Sequence, residues 1–167
     1  MAHLINRKIF CLGVLLCTSN LSLANSSHNI YGTTLSILSY AKFTSTNPSF
    51  CIVNNPSVAD QFTVFTQQNK YNLKIYSISA DELKSTQCDA VFFTNTPPNT
   101  QQQLLNQSLN QAILSFSTNN SECEIGSSFC LFNAKSGHTL FRVNLDSLAR
   151  SKIHVDPRVL LLAKNPE

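Results

Sequence analysis

The run Ala90-Val91-Phe92-Phe93, set between Cys88-Asp89 and the turn residues Pro97-Pro98, decides how this chain folds. Four apolar residues in succession leave no face for water, as in a strand covered on both sides. The flanking sequence supports that reading. Upstream, residues 50–53 are a second short apolar run, and Asn55-Pro56 supplies a cap and a first-turn proline for a helix over residues 57–66. Leu73 and Ile75, with Tyr76 and Ile78 nearby, give another strand. Ser79-Ala80-Asp81-Glu82 has the S-x-x-E spacing of a capping box and predicts a short helix ending near Cys88. Downstream of Pro97-Pro98, a Gln- and Leu-containing helix runs to about Leu109, followed by a strand over residues 112–116.

Repeated alternation of strand and helix favours a parallel sheet with helices on its faces. An amphipathic helix over residues 30–43 precedes this core, since Ile30, Tyr31, Leu35, Leu38 and Ala41 follow a 3.6-residue period. The tail differs. Residues 129–133 and 139–145 are strand-like and are joined by Ala134-Lys135-Ser136-Gly137, which predicts a hairpin. Two short helices close the chain, over residues 145–152 and, behind Asp156-Pro157, over residues 158–164. The expected fold is an α/β three-layer sandwich with a largely parallel central sheet, a C-terminal β-hairpin and flanking helices.

The first residues carry a different signal. Arg7 and Lys8, the apolar stretch over residues 9–17 and the small-residue site Ser22-Leu23-Ala24 have the order of a secretory leader, too short to span a bilayer permanently. Cleavage after Ala24 would leave residues 25–167 as one domain. A lipoprotein variant would modify Cys17, but bulky Leu16 precedes it. Removing Arg7 and Lys8 lowers the formal charge from +3 to +1, which gives no footing for nucleic acid. Export also divides the six cysteines, leaving Cys51, Cys88, Cys123 and Cys130 in an oxidising compartment. Four cysteines allow three connectivities, and the short local loop makes Cys123–Cys130 with Cys51–Cys88 the natural choice. A zinc site is the alternative, but no close cysteine pair is repeated and His28, His138 and His154 are scattered.

Catalytic patterns are poor. Gly126-Ser127-Ser128 lacks the second glycine of a nucleophile elbow, and His138 falls in the hairpin turn. Asp81/Glu82 fits a helix start and Glu122/Glu124 flanks Cys123. The chain has only four glycines and no phosphate-cradling loop. Neither cysteine pair has redox spacing. No catalytic residue, metal ligand or cofactor is assigned.

The stretch over residues 120–164, NSECEIGSSFCLFNAKSGHTLFRVNLDSLARSKIHVDPRVLLLAK, resembles the C-terminal half of the YfiR family. It carries a cysteine pair seven apart around Gly126, then Asn144-Leu145, Leu148-Ala149 and a final Leu161-Leu162-Ala163. The N-terminal half is similar more loosely, through FCIVNN and CDAVFFTN, which place Cys51 and Cys88 where the family's long-range disulfide falls. One departure is that Thr46-Asn47-Pro48 stands where many members have Trp-Pro, and the chain has no tryptophan. The resemblance implies a periplasmic protein that inhibits a YfiN-like inner-membrane diguanylate cyclase and is sequestered by a YfiB-like outer-membrane lipoprotein. Cyclic di-GMP and biofilm formation would be controlled by that route. A small-ligand sensor with a cleft at the strand ends is the alternative, and both a monomer and a homodimer are compatible with the sequence. Val159, Leu160, Leu161 and Leu162 exceed the apolar stripe that a two-turn helix can bury, so they are the candidate partner-binding residues. Packing of the whole helix on the sheet is the competing expectation.

Overall fold

The computed structural model describes residues 30–135 and 137–163. The leader reading falls on residues 1–24, outside them. A six-stranded sheet forms the middle layer, in the order β3-β2-β4-β5-β6-β7. Its strands are β2 (Ser49–Val53), β3 (Lys74–Ile78), β4 (Ala90–Phe93), β5 (Leu114–Ser117), β6 (Phe129–Asn133) and β7 (Thr139–Val143). All pairings are parallel except β6 with β7, which form the terminal hairpin. β4 lies between β2 and β5, and all four of its residues are buried. A strand with parallel neighbours on both sides and helices on both faces has no polar position to offer.

One layer consists of α1 (Ile30–Ser39), α2 (Pro56–Asn69) and a final 3-10 helix (Pro157–Ala163). They cover an aromatic core in which Phe62 meets Phe50 at 4.9 Å and Phe92 at 5.1 Å, both edge to face. Such pairs each contribute about 0.5–1.5 kcal/mol beyond the area they bury. The opposite layer holds a 3-10 turn (Asp81–Lys84), α3 (Pro98–Gln107) and α4 (Leu145–Arg150). Below it a second apolar cluster gathers Cys51, Val53, Leu83, Cys88, Val91 and Phe93. The Asn55 side chain accepts the Val58 amide to cap α2, and Pro56 stands in its first turn.

Several boundaries depart from expectation. α1 stops at Ser39, where Tyr40 N–H closes on Ile37 O, and Ala41–Lys42 forms β1, paired antiparallel with β8 (His154–Val155). A partner strand over a hundred residues away satisfies backbone that the periodicity assigns to a helix. The capping box forms as read: Ser79 N–H donates to Glu82 Oε2 at 2.6 Å and Glu82 N–H to Ser79 Oγ at 3.3 Å. The Ser79 amide, and after it the Ser79 hydroxyl, hold the Glu82 carboxyl below its ordinary value. The turn they start ends at Lys84, because Cys88 must leave the helical path to reach Cys51 in β2. The last helix is 3-10, and the Lys164 expected to end it lies outside the described residues.

Candidate functional site

The final segment is clasped at its start. Asp156 N–H donates to Tyr40 O at 2.9 Å, continuing the β1/β8 pairing by one bond. The Asp156 carboxylate accepts the Arg158 amide at 2.9 Å and meets its guanidinium at 2.7 Å. Those bonds from Arg158 lower the Asp156 carboxyl from 3.8 to about 2. A carboxyl depressed on folding stabilises the folded state above its unfolded pKa, about 4, and that contribution is lost as pH falls towards 2. An NMR titration is expected to place Asp156 near 2, with Asp156→Asn removing that pH dependence; titration near the unfolded value would mean that the cap does not hold in solution.

Of the four apolar residues singled out in this segment, Val159 does not belong to the surface. It is 4% exposed and part of the aromatic core, whereas Leu160 is 48% and Leu161 58% exposed. The 3-10 helix accounts for the division, because residues three apart eclipse each other. Val159 and Leu162 therefore share the inner side, with Leu162 half-buried in the wall of a hollow beside Gly32 and Thr33 of α1. Leu160 and Leu161 are left on the outer side.

Behind the hairpin lies a polar layer. Past β4 the sheet face under α3 carries Ser115 and Ser117 on β5, and Ser127 and Ser128 before β6, all essentially buried. Gln101 of α3, fully buried, ties the layer together. Its Nε2 donates to Thr96 O at 2.6 Å and Ser117 Oγ at 2.8 Å, and its Oε1 accepts Ser127 Oγ at 2.8 Å. Ser128 N–H donates to Ser115 Oγ at 2.9 Å. A buried polar layer is tolerated when its members find partners, and it then specifies one arrangement.

The loop between β5 and β6 is held by these bonds and by the Cys123–Cys130 disulfide, seven residues apart. Asn120 braces it from within, accepting the Cys123 amide at 3.1 Å and donating to Ile125 O at 2.7 Å. Gly126 has φ +88, with Pro98 O and Gln101 Oε1 each 2.9 Å from where a Cβ would stand. Its carbonyl accepts Ser147 Oγ at 2.6 Å, which ties the loop to α4. The second disulfide, Cys51–Cys88, spans 37 residues and is buried in the opposite part of this face. Sequence reasoning did not single out Gln101 or Ser147. Asn120, three residues before Cys123, carries a readable side-chain turn signal; Gln101 stands in a row of three glutamines and has none.

The fold does not assemble a nucleophile from Ser127, whose hydroxyl is spent on Gln101. Glu122 meets Arg142 at 3.6 Å, and Arg142 also lies 5.5 Å from the centre of the Phe132 ring. Among the described residues no group of three His, Cys, Asp or Glu side chains could hold a metal ion, and no helix is long and apolar enough to cross a membrane. A groove of about 520 Å³ opens at the carboxyl ends of β4 and β5, lined by Pro97, Asn119, Glu122, Glu124, Ile125 and Phe132.

Residues 33–164, more than three quarters of the chain, match the YfiR/HmsC-like family. The chain belongs to that family. The match takes in the sheet, both disulfides, the β1/β8 clasp and Leu160 and Leu161. YfiR/HmsC-like proteins are regulatory rather than catalytic, and membership supports, at the level of the family, a periplasmic regulator of diguanylate cyclase signalling.

Proposed function

We propose that this protein is a periplasmic repressor that binds the sensory domain of a YfiN-like inner-membrane diguanylate cyclase and holds it inactive. A leader cleaved after Ala24 delivers residues 25–167 as one domain, and a YfiB-like outer-membrane lipoprotein relieves repression by sequestering it. Cyclic di-GMP, and with it biofilm formation, then follows the state of the envelope. The observation that carries this reading is the family match over residues 33–164. In this reading Leu160 and Leu161 provide the apolar contact, since adjacent half-exposed leucines on a clasped segment bind with little ordering cost. Burying each fully is worth about 1.5–3 kcal/mol at most.

The test is Leu160→Asp combined with Leu161→Asp, which leaves Val159 and the core intact. Stability is expected to stay within roughly 0.5–1 kcal/mol of wild type. Cellular cyclic di-GMP should rise to the level of a gene deletion, and crosslinking to the cyclase should be lost. Full repression by this variant at normal abundance would remove the leucines from the interface. Unchanged cyclic di-GMP on deleting the gene would remove the repressor reading itself.

The strand-end groove favours a second reading, a small-ligand sensor, because open α/β sheets bind ligands at the carboxyl ends of their strands. A reproducible thermal shift with one metabolite, lost on Asn119→Ala and without capture of any membrane protein, would favour it over the repressor.

A further inference from the structure

A second cleft, of about 270 Å³, lies between α3 and α4 over the sheet, with Ile113 and Ser115 at the start of β5 on its floor. Gln102 and Asn106 wall it from α3, and Arg150 and Lys152 from α4 and the residues just beyond. At about 30 Å³ per water it has room for roughly nine waters, the size of a small metabolite.

The charge of this cleft is one-sided. Two of its lining residues are cations and none is a carboxylate. Arg150 makes no ion pair among the described residues; its Nη2 donates to two neutral oxygens, Gln102 Oε1 at 3.1 Å and Ser147 Oγ at 2.8 Å. The Lys152 ammonium has neither an ion pair nor a hydrogen bond among them. Lys152 also stands at φ 54, in the left-handed region, directly after the end of α4. Glycine is the usual residue at such a position, and a lysine there carries a backbone cost that glycine would avoid.

We propose that this cleft binds a small oxyanion-bearing metabolite, a short carboxylate or phosphate ester, whose charge is taken by Arg150 and Lys152. Gln102 Nε2 already donates to Asn106 Oδ1 at 2.9 Å and Gln111 Nε2 to Ser108 O at 2.8 Å, which leaves the Asn106 amide nitrogen to donate to the ligand, while Leu105 and Ile113 supply an apolar wall. An occupant would be felt in the loop before β6, because Arg150 and Gly126 share both partners. Gly126 N–H donates to the same Gln102 Oε1 at 3.4 Å, and Gly126 O accepts the same Ser147 hydroxyl at 2.6 Å. An anion that draws Arg150 towards it changes two of the atoms that hold that loop.

The experiment uses the purified exported protein with no cyclase present, so its outcome is independent of the repressor reading. Succinate and inorganic phosphate are titrated calorimetrically against chloride at matched ionic strength, with amide shifts followed by NMR. At least one anion is expected to saturate at one equivalent and to shift Gln102, Asn106 and Ser115. Succinate alone assigns organic acids, phosphate alone assigns phosphate esters, and both assign oxyanions in general. Lys152→Gly is the decisive variant, since glycine suits the backbone there: affinity should fall roughly tenfold while stability does not fall. Arg150→Gln should weaken binding further. Absence of saturation by either anion, shifts that map elsewhere, or wild-type affinity in Lys152→Gly would overturn the proposal.

Discussion

Serine at both Cys51 and Cys88 is expected to lower the unfolding free energy by about 4 kcal/mol. The 37-residue separation gives about that figure from chain entropy alone. The location adds to it, because both cysteines are fully buried in the second apolar cluster, where two serine hydroxyls would need partners. Against a typical total of about 5–15 kcal/mol, such a loss brings the folded population near its limit. Serine at Cys123 and Cys130 should cost less, about 2.5 kcal/mol for a loop of this length, and should mainly loosen the loop before β6. Urea unfolding, protein abundance and cellular cyclic di-GMP measured together separate the two cases. On the proposed repressor reading, a protein that depends on its bridges in this way loses repression under reductive stress through unfolding, with no reactive thiol required. Wild-type abundance and full repression in both double variants would show that the cysteines are dispensable.

Alanine at Gly126 should cost on the order of 3 kcal/mol, although it adds one methyl group. A non-glycine residue at φ +88 pays about 1–2 kcal/mol for its backbone alone. The new Cβ would also stand 2.9 Å from Pro98 O, a backbone atom that moves only if the start of α3 moves. Relieving that contact would shift the loop away from Gln101 and break the bond from Ser127 Oγ to Gln101 and the bond from Ser147 Oγ to the glycine's own carbonyl. Faster amide exchange at residues 123–130, with β2 and β3 unaffected, would be the local signature. A Gly126→Ala protein within 0.5 kcal/mol of wild type, on the order of an ordinary surface change, would mean that the loop can rearrange freely.

The parts of this fold that could be read from sequence are those determined by neighbours in the chain. Ala90-Val91-Phe92-Phe93 is legible because four apolar residues leave no solvent face, and Asn55-Pro56 because a cap acts over three residues. What could not be read depends on distant partners. Gln101 acquires its role from Ser117 and Ser127, 16 and 26 residues away, and nothing in a row of glutamines marks which one will be buried. Ala41–Lys42 follows a helical period and becomes a strand only because His154–Val155 arrives beside it. The leucines of the last segment were legible as an excess, while their division into inner and outer residues depends on the 3-10 period that the segment adopts.

That late arrival has a consequence for how the chain comes together as it is made. α1 is the first described element to emerge, yet the backbone beside it at Ala41–Lys42 has no strand to pair with until residue 155 has followed. Throughout that interval the growing polypeptide presents an unpaired edge and the bare carbonyl of Tyr40, the features that invite pairing with the wrong chain. A stalled or clipped product that ends before His154 would keep its sheet and both disulfides but would carry that edge permanently. Quality control by proteases would then have a simple mark to recognise, an incomplete end read at the opposite end of the chain.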